Sequence, residues 1–228
     1  MALILNIDTA QEQAGVFLAR NGQLIGSSFH ERFHDHASWI HTAISELTVG
    51  CGTPLKDLQA VAVTAGPGSY TGLRIGMSTA KGLCYALGIP LIVESTLKVM
   101  AAAVCDAAEP NDLICPMIDA RRMEVFMGIY RKDLTEISAP RSFILEYDFF
   151  LTLLKENRII FCGSGIGKWK KICDHANAVF FADRINSSKL TNLSYELYRQ
   201  QTFANLTYAE PGYLKDFHTY PKTELPRL

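Results

Sequence analysis

Apolar and polar positions change period repeatedly along the first hundred residues, and each change marks an element. Ala2–Ile7 is an apolar run, interrupted only by Asn6, that stops at Asp8, the pattern of a buried strand. Ala14–Arg20 and Gln23–Phe29 flank Asn21-Gly22, a dipeptide that accepts the positive φ of a type I′ turn, and so predict a hairpin. From Ala37 to Thr48 the apolar side chains fall at Trp39, Ile40, Ala43, Ile44 and Leu47, which is helical spacing. Ala60–Ala65 reads as a strand. The glycine-rich stretch AGPGSYTGLRIG (65–76) leads into a helix over Gly72–Leu87, and Gly88 stands where a left-handed helix cap belongs. Leu91–Val93 predicts a strand and Thr96–Ala107 a helix, giving the order βββαβαβα.

The second half repeats that order. Leu113–Ile118 is an apolar strand ending at Asp119, followed by extended runs over Glu124–Arg131 and Thr135–Leu145 with a turn at Lys132-Asp133 between them. Tyr147–Glu156 predicts a helix and Arg158–Cys162 a strand. The loop GSGIG leads into a further helix, and Ala178–Phe181 and Lys189–Phe203 predict the last strand and helix. Ile7-Asp8-Thr9-Ala10 is echoed by Ile118-Asp119-Ala120. The fold expected is therefore α/β, with two tandem ribonuclease-H-like βββαβαβα domains. The first covers residues 1–106 and the second 113–228, joined by a linker over Ala107–Asp112 with a breaker at Glu109-Pro110-Asn111. The C-terminal tail is free to pack back on the first domain.

Composition narrows the function classes. The 228 residues are 48% hydrophobic and 20% charged with a formal net charge of −1, so no global field draws the chain to nucleic acid or anionic lipid. Six dispersed cysteines form no CxxC pair, which fits a reducing compartment. MALILNIDTA has no basic n-region and no apolar run nears the ~20 residues of a membrane span, so a cytoplasmic protein without membrane attachment is expected.

GPGSYTGLRIG followed by AKGLCYALGIPLI, together with IDTA, IDARRMEVFMGIY and EPGYLKDF in order, strongly resembles the TsaB (YeaZ-type) family. The resemblance implies the actin-like ATPase (ASKHA) version of the fold. It also implies a non-catalytic role in tRNA threonylcarbamoyladenosine (t6A) modification beside the anticodon, in support of a TsaD-like transferase. A TsaE-like ATPase and a threonylcarbamoyl-AMP synthase complete that set, with a homodimer in isolation and contact with tRNA only indirect. TsaD-like chains carry a His-x-x-x-His metal pair after the IPLI-type strand, and here Thr96 and Met100 stand at those positions. A thioether is a poor ligand for a hard or borderline ion, so no metal site is expected.

The resemblance also implies pairing through the glycine-led helix and the one before it. The candidate partner surface is Gly66, Pro67, Gly68, Ser69, Tyr70, Thr71, Gly72, Arg74, Gly76, Thr79, Ala80, Leu83 and Leu87, with Trp39, Ile40 and Ala43. Glycine inside a helix costs roughly 0.5–1 kcal/mol relative to alanine, so Gly76 and Gly82 need a reason. Close approach of a partner backbone is one, and burial against the chain's own sheet is the other. Asp8, Thr9, Asp119, Gly163 and Gly165 are candidates for a vestigial nucleotide cleft. Neither aspartate is followed by a glycine-rich phosphate hairpin, so no cofactor is expected beyond weak or interface-held ATP or ADP.

Three further signals are weaker. HERFH (His30–His34) matches H-E-x-x-H but falls on a strand, where the two histidines stand roughly 13 Å apart at ~3.3 Å per residue; His34, His36 and His41 are better read as flanking the first helix. GSGIGKWKK fails the P-loop pattern at Cys162 and Trp169. Lys168, Lys170 and Lys171 around Trp169, with Arg121-Arg122, are read mainly as a solvated basic face. The alternative functions are a small-molecule kinase or ATPase of the same fold and a glycoprotease-type metallopeptidase.

Overall fold

A computed structural model describes residues 2–31, 35–181 and 187–215. Ten strands form two five-stranded sheets. β1 (Leu3–Asp8), β2 (Ala14–Arg20), β3 (Gln23–His30), β4 (Ala60–Thr64) and β5 (Leu91–Glu94) make the first, in the order β3-β2-β1-β4-β5. β6 (Leu113–Asp119), β7 (Glu124–Arg131), β8 (Glu136–Ile144), β9 (Ile159–Cys162) and β10 (Ala178–Phe181) make the second, in the matching order β8-β7-β6-β9-β10. In each sheet the first three strands are antiparallel and the last two parallel to the first. The twofold α/β repeat read from the chain is present in both sheets, strand for strand.

Local chemistry explains the boundaries. Asn21 and Gly22 take φ of 50° and 83°, the turn that closes β2 on β3. Helix α1 spans His36–Gly50 and α2 spans Tyr70–Leu87. Ser69 caps α2 by accepting from the Gly72 N–H, and Gly88 ends it in the left-handed conformation. Helix α3 runs Thr96–Val104 and tightens into a 3-10 turn at Cys105–Ala107. The second half contributes α4 (Tyr147–Glu156), the short α5 (Ile166–Trp169) and α6 (Ser187–Arg199).

The long-range packing departs from two separate repeats. α1 and α2 cover the outer face of the first sheet, where Leu3, Leu5, Ile7, Val61 and Val63 meet Ile40, Ile44, Met77 and Ala80. Its inner face is covered from the other end of the chain: Tyr195, Leu197 and Tyr198 of α6 pack on Ala2, Ile4, Ala60, Ala62 and Ile92. Conversely α3, from the first half, lies on the second sheet, with Leu97, Met100, Ala101 and Val104 against Ile114, Ile118, Ile160 and Cys162. The last helix of each half has crossed to the opposite sheet. Phe17, Val99 and Leu190 join the crossed helices in one cluster, and Thr191 Oγ1 donates to Gly22 O at 3.0 Å.

This exchange fixes which way each strand faces. Odd-numbered residues of β1 point outward to α1 and α2, so Asp8 emerges on the inner face. Odd-numbered residues of β6 (Leu113, Cys115, Met117) also point outward, to α4 and α5, so Asp119 emerges outward. The echoed aspartates end equivalent strands on opposite faces. They therefore do not both face one cleft, although both were candidates for it.

A candidate cleft between the two halves

A cavity of about 840 Å³ opens between the two halves. One wall is the β1–β2 turn, Ala10–Gln13, with the start of α2, Gly68–Thr71. The other is Ile118–Arg121 and Phe126 with Gly163, Ser164 and Ile166.

The first wall is built by close backbone approach. Ser69 N–H donates to Ala10 O at 2.7 Å, and Thr9 Oγ1 donates to Gly72 O at 2.7 Å. A Cβ on Gly68 would strike Ala10 O, one on Gly72 would strike Thr9 O, and one on Gly76 would meet Thr9 Oγ1. The glycines of GPGSYTGLRIG exist so that α2 can lie directly on the end of β1. Gly66, at φ 120°, lies against Gly212 O near the C-terminus, at 2.7 Å from an added Cβ. Pro67 follows in a cis peptide and is buried.

Burial therefore removes part of the expected partner face. Gly72, Gly76, Thr79 and Ala80 are buried in the chain's own core, as are Ile40 and Ala43, and Leu83, Leu87 and Trp39 are half-buried against it. Arg74 is exposed but engaged: its guanidinium lies 4.0 Å from the Tyr70 ring centroid, and its Nε donates to Tyr213 Oη at 3.0 Å. The outward positions of α2 are instead Ser78, Gly82, Tyr85 and Ala86, and those of α1 include Thr42, Ser45 and Val49. Tyr85 is 84% and Val49 78% exposed, and nothing lies within 4 Å of a Cβ added at Gly82. This edge was missed because glycine and alanine spacing marks the buried face of α2 as strongly as it would mark a partner contact.

The two aspartates differ in state as well as direction. Asp8 is 2% exposed and accepts from Thr64 Oγ1 (2.8 Å) and Ala10 N–H (3.1 Å). Burial raises its pKa, against the pull of those two hydrogen bonds. Neither Asp8 nor Thr9 lines the cavity. Asp119 does, and accepts from Lys168 Nζ (2.7 Å) and Arg121 N–H (2.6 Å). Burial is the largest single influence on it and acts upward, but the Lys168 hydrogen bond, the Arg121 amide and the Lys168 charge together hold it below the usual carboxylate range. Lys168 is thus tied to a residue of the cleft wall rather than left on a solvated face. Gly163 (φ 98°) and Gly165 let the β9–α5 turn approach Met117 O.

ATP with a metal ion is the group this fold family implies here, and the donors do not fit it. Asp8 is 2% exposed and does not line the cavity, and Asp119, which does, is paired through Oδ1 with Lys168, so the two carboxylates do not converge on one hydrated cation. Among the described residues no group of three or more His, Cys, Asp or Glu side chains is placed to hold a metal ion. Thr96 and Met100 lie one turn apart on α3, both buried. His30 closes β3 and stacks on Trp39 at 5.3 Å, while His36 begins α1 and His41 is exposed. His34 lies outside the described residues. Trp169 is 1% exposed in the second core against Phe150 and Phe161, which removes it from any nucleic-acid face. No disulfide joins the six cysteines, and among the described residues no helix is long and apolar enough to cross a membrane.

Comparison with known proteins agrees with this architecture. The family model for TsaD, tRNA N6-adenosine threonylcarbamoyltransferase, matches residues 28–182, more than half of the chain. The Bacillus subtilis tRNA threonylcarbamoyladenosine biosynthesis protein TsaB is 32% identical over 174 residues, 75% of each chain. A Geotalea uraniireducens tRNA N6-adenosine threonylcarbamoyltransferase is 32% identical over 105 residues, 39% of this chain and 31% of that one. The structure of YeaZ from Pseudomonas aeruginosa superposes with a TM-score of 0.78 at 23% identity, covering 94% of this chain and all of the other, and shows the same fold.

Proposed function

The chain belongs to the TsaD family, on its TsaB side, and acts in tRNA threonylcarbamoyladenosine biosynthesis; from that premise we propose that it is a non-catalytic subunit that binds a TsaD-like transferase and supports its active state. The observation that carries this is the state of the cleft. It keeps the volume of a nucleotide site, while Asp8 is buried away from it, Asp119 is ion-paired with Lys168, and its helix-leading glycines serve internal packing. That condition favours a supporting role over phosphoryl or acyl transfer by this chain itself. Nucleotide is held weakly or at a partner interface, a TsaE-like ATPase completes the assembly, and tRNA is met through the transferase. In isolation the chain forms a homodimer.

The outward edge of α1 and α2 is the partner surface in this reading. Ser78, Gly82 and Ala86 let another backbone come close, and Tyr85 supplies a rigid aromatic anchor of the kind that dominates interface energetics. Tagged TsaD-like transferase from the same organism is expected to capture the wild-type chain. Tyr85→Ala and Gly82→Leu are expected to weaken capture at least about tenfold while the circular dichroism spectrum stays native. Undiminished capture of both variants would move the interface elsewhere.

A further inference from the structure

After α6 the chain runs back along the first half, over residues 204–215, and is fastened at successive points. Ala204 N–H donates to Leu91 O at 2.9 Å and closes the open edge of β5. Lys81 Nζ, on α2, donates to Thr207 O (3.2 Å) and Ala209 O (2.9 Å). Gly212 N–H donates to Ala65 O at 2.7 Å, directly before the glycine turn. Tyr213 accepts from Arg74 Nε and lies 5.0 Å, centroid to centroid, from Tyr70, a residue of the cleft wall. All of these anchors are on the first half.

The next anchor is on the second. Lys215 Nζ pairs with Glu124 Oε2, at the start of β7. Glu124 also accepts from Ser142 Oγ, and its carbonyl accepts from Lys168 Nζ at 3.1 Å, the same ammonium that holds Asp119. A single segment thus reaches from the Tyr70 wall to the Asp119 wall.

We propose that residues 204–215 are a strap that sets the width of the cleft, fixed to the first half at several points and to the second through Lys215–Glu124. The unequal ends are what make it a control point. Six hydrogen-bond and ring contacts hold the first half, whereas among the described residues the far end is held by the Lys215–Glu124 ion pair, with Lys215 38% and Glu124 18% exposed. Partly exposed pairs are weak, so the strap releases at Lys215 and the second half swings away. Its Lys81 anchor sits one turn from Tyr85, so a protein bound on the α2 edge would press on the same segment. The strap stands whether or not the partner assignment does, because its contacts are all within the chain.

Hydrogen exchange on the full-length chain tests this. Lys215→Glu puts two carboxylates together and is expected to speed exchange about fivefold in residues 119–126 and 68–73, leaving β1 and β4 at wild-type rates. Lys215→Arg restores a cation and is expected to exchange as wild type. Unchanged rates at 119–126 in Lys215→Glu overturn the proposal, as does equal acceleration in β1 and β4 or identical behaviour of the two variants.

Discussion

At the carboxyl end of β1, Asp8 keeps a carboxyl group away from water with two hydrogen bonds and no cation contact among the described residues. Glu94 is in a similar position on β5, lateral to Thr64, with burial raising its pKa against the charge of Lys98 and the Ser95 amide. For both groups the folded-state pKa lies above the unfolded one. Their stabilising contribution is therefore present below the unfolded values, 3.8 and 4.5, and is lost as pH rises through the folded values. Asp8→Asn should consequently raise the melting temperature at pH 7 by a few degrees and flatten its decline between pH 4 and 7; about 2–4 °C per kcal/mol is usual at this size. Thermal unfolding across that range checks it, and a lower melting temperature at pH 7 would show that the charged form is stabilised. The sequence located both strand-ending aspartates through the Ile-Asp echo. It was silent on their phase, because an apolar run ending in Asp reads the same whichever face is later covered.

For α2 the decisive contact is with Thr9. Gly76 touches Thr9 Oγ1, Val63 and Ile7, so a leucine there has no space to enter, and overpacking of this kind costs typically 1–3 kcal/mol. Gly82 faces open space, where a helix interior gains roughly 0.8–1 kcal/mol on losing a glycine. Denaturant melts of Gly76→Leu and Gly82→Leu are therefore expected to shift in opposite directions. Equal shifts would mean that the helix is rotated from its described face. The longer helices among the described residues were visible in the chain, yet the exchange of α3 and α6 was not. Amphipathicity states that a helix has a buried face, not which sheet receives it. One signal was present: β4 alternates Ala60, Val61, Ala62 and Val63, and its alanine face leaves the room that Tyr195 and Tyr198 fill from 130 residues away.

On the scale of the whole molecule, two equivalent sheets, locked by crossed helices and bridged by a C-terminal segment, enclose a cleft that Asp8 does not reach and in which Asp119 is paired with Lys168. EPGYLKDF served the sequence reading only as a mark of family; the roles of Gly212, Tyr213 and Lys215 needed contacts spanning more than 90 residues, beyond any local pattern. A body of this kind is suited to hold and support a catalytic relative of its own fold. The most direct measurement is reconstituted tRNA modification with purified TsaD-like transferase, TsaE-like ATPase and threonylcarbamoyl-AMP synthase, with and without this chain. The account predicts that threonylcarbamoyladenosine forms only when transferase and this chain are both present, and that Gly82→Leu fails to replace the wild type. Full modification without this chain, or modification by this chain without the transferase, would contradict it.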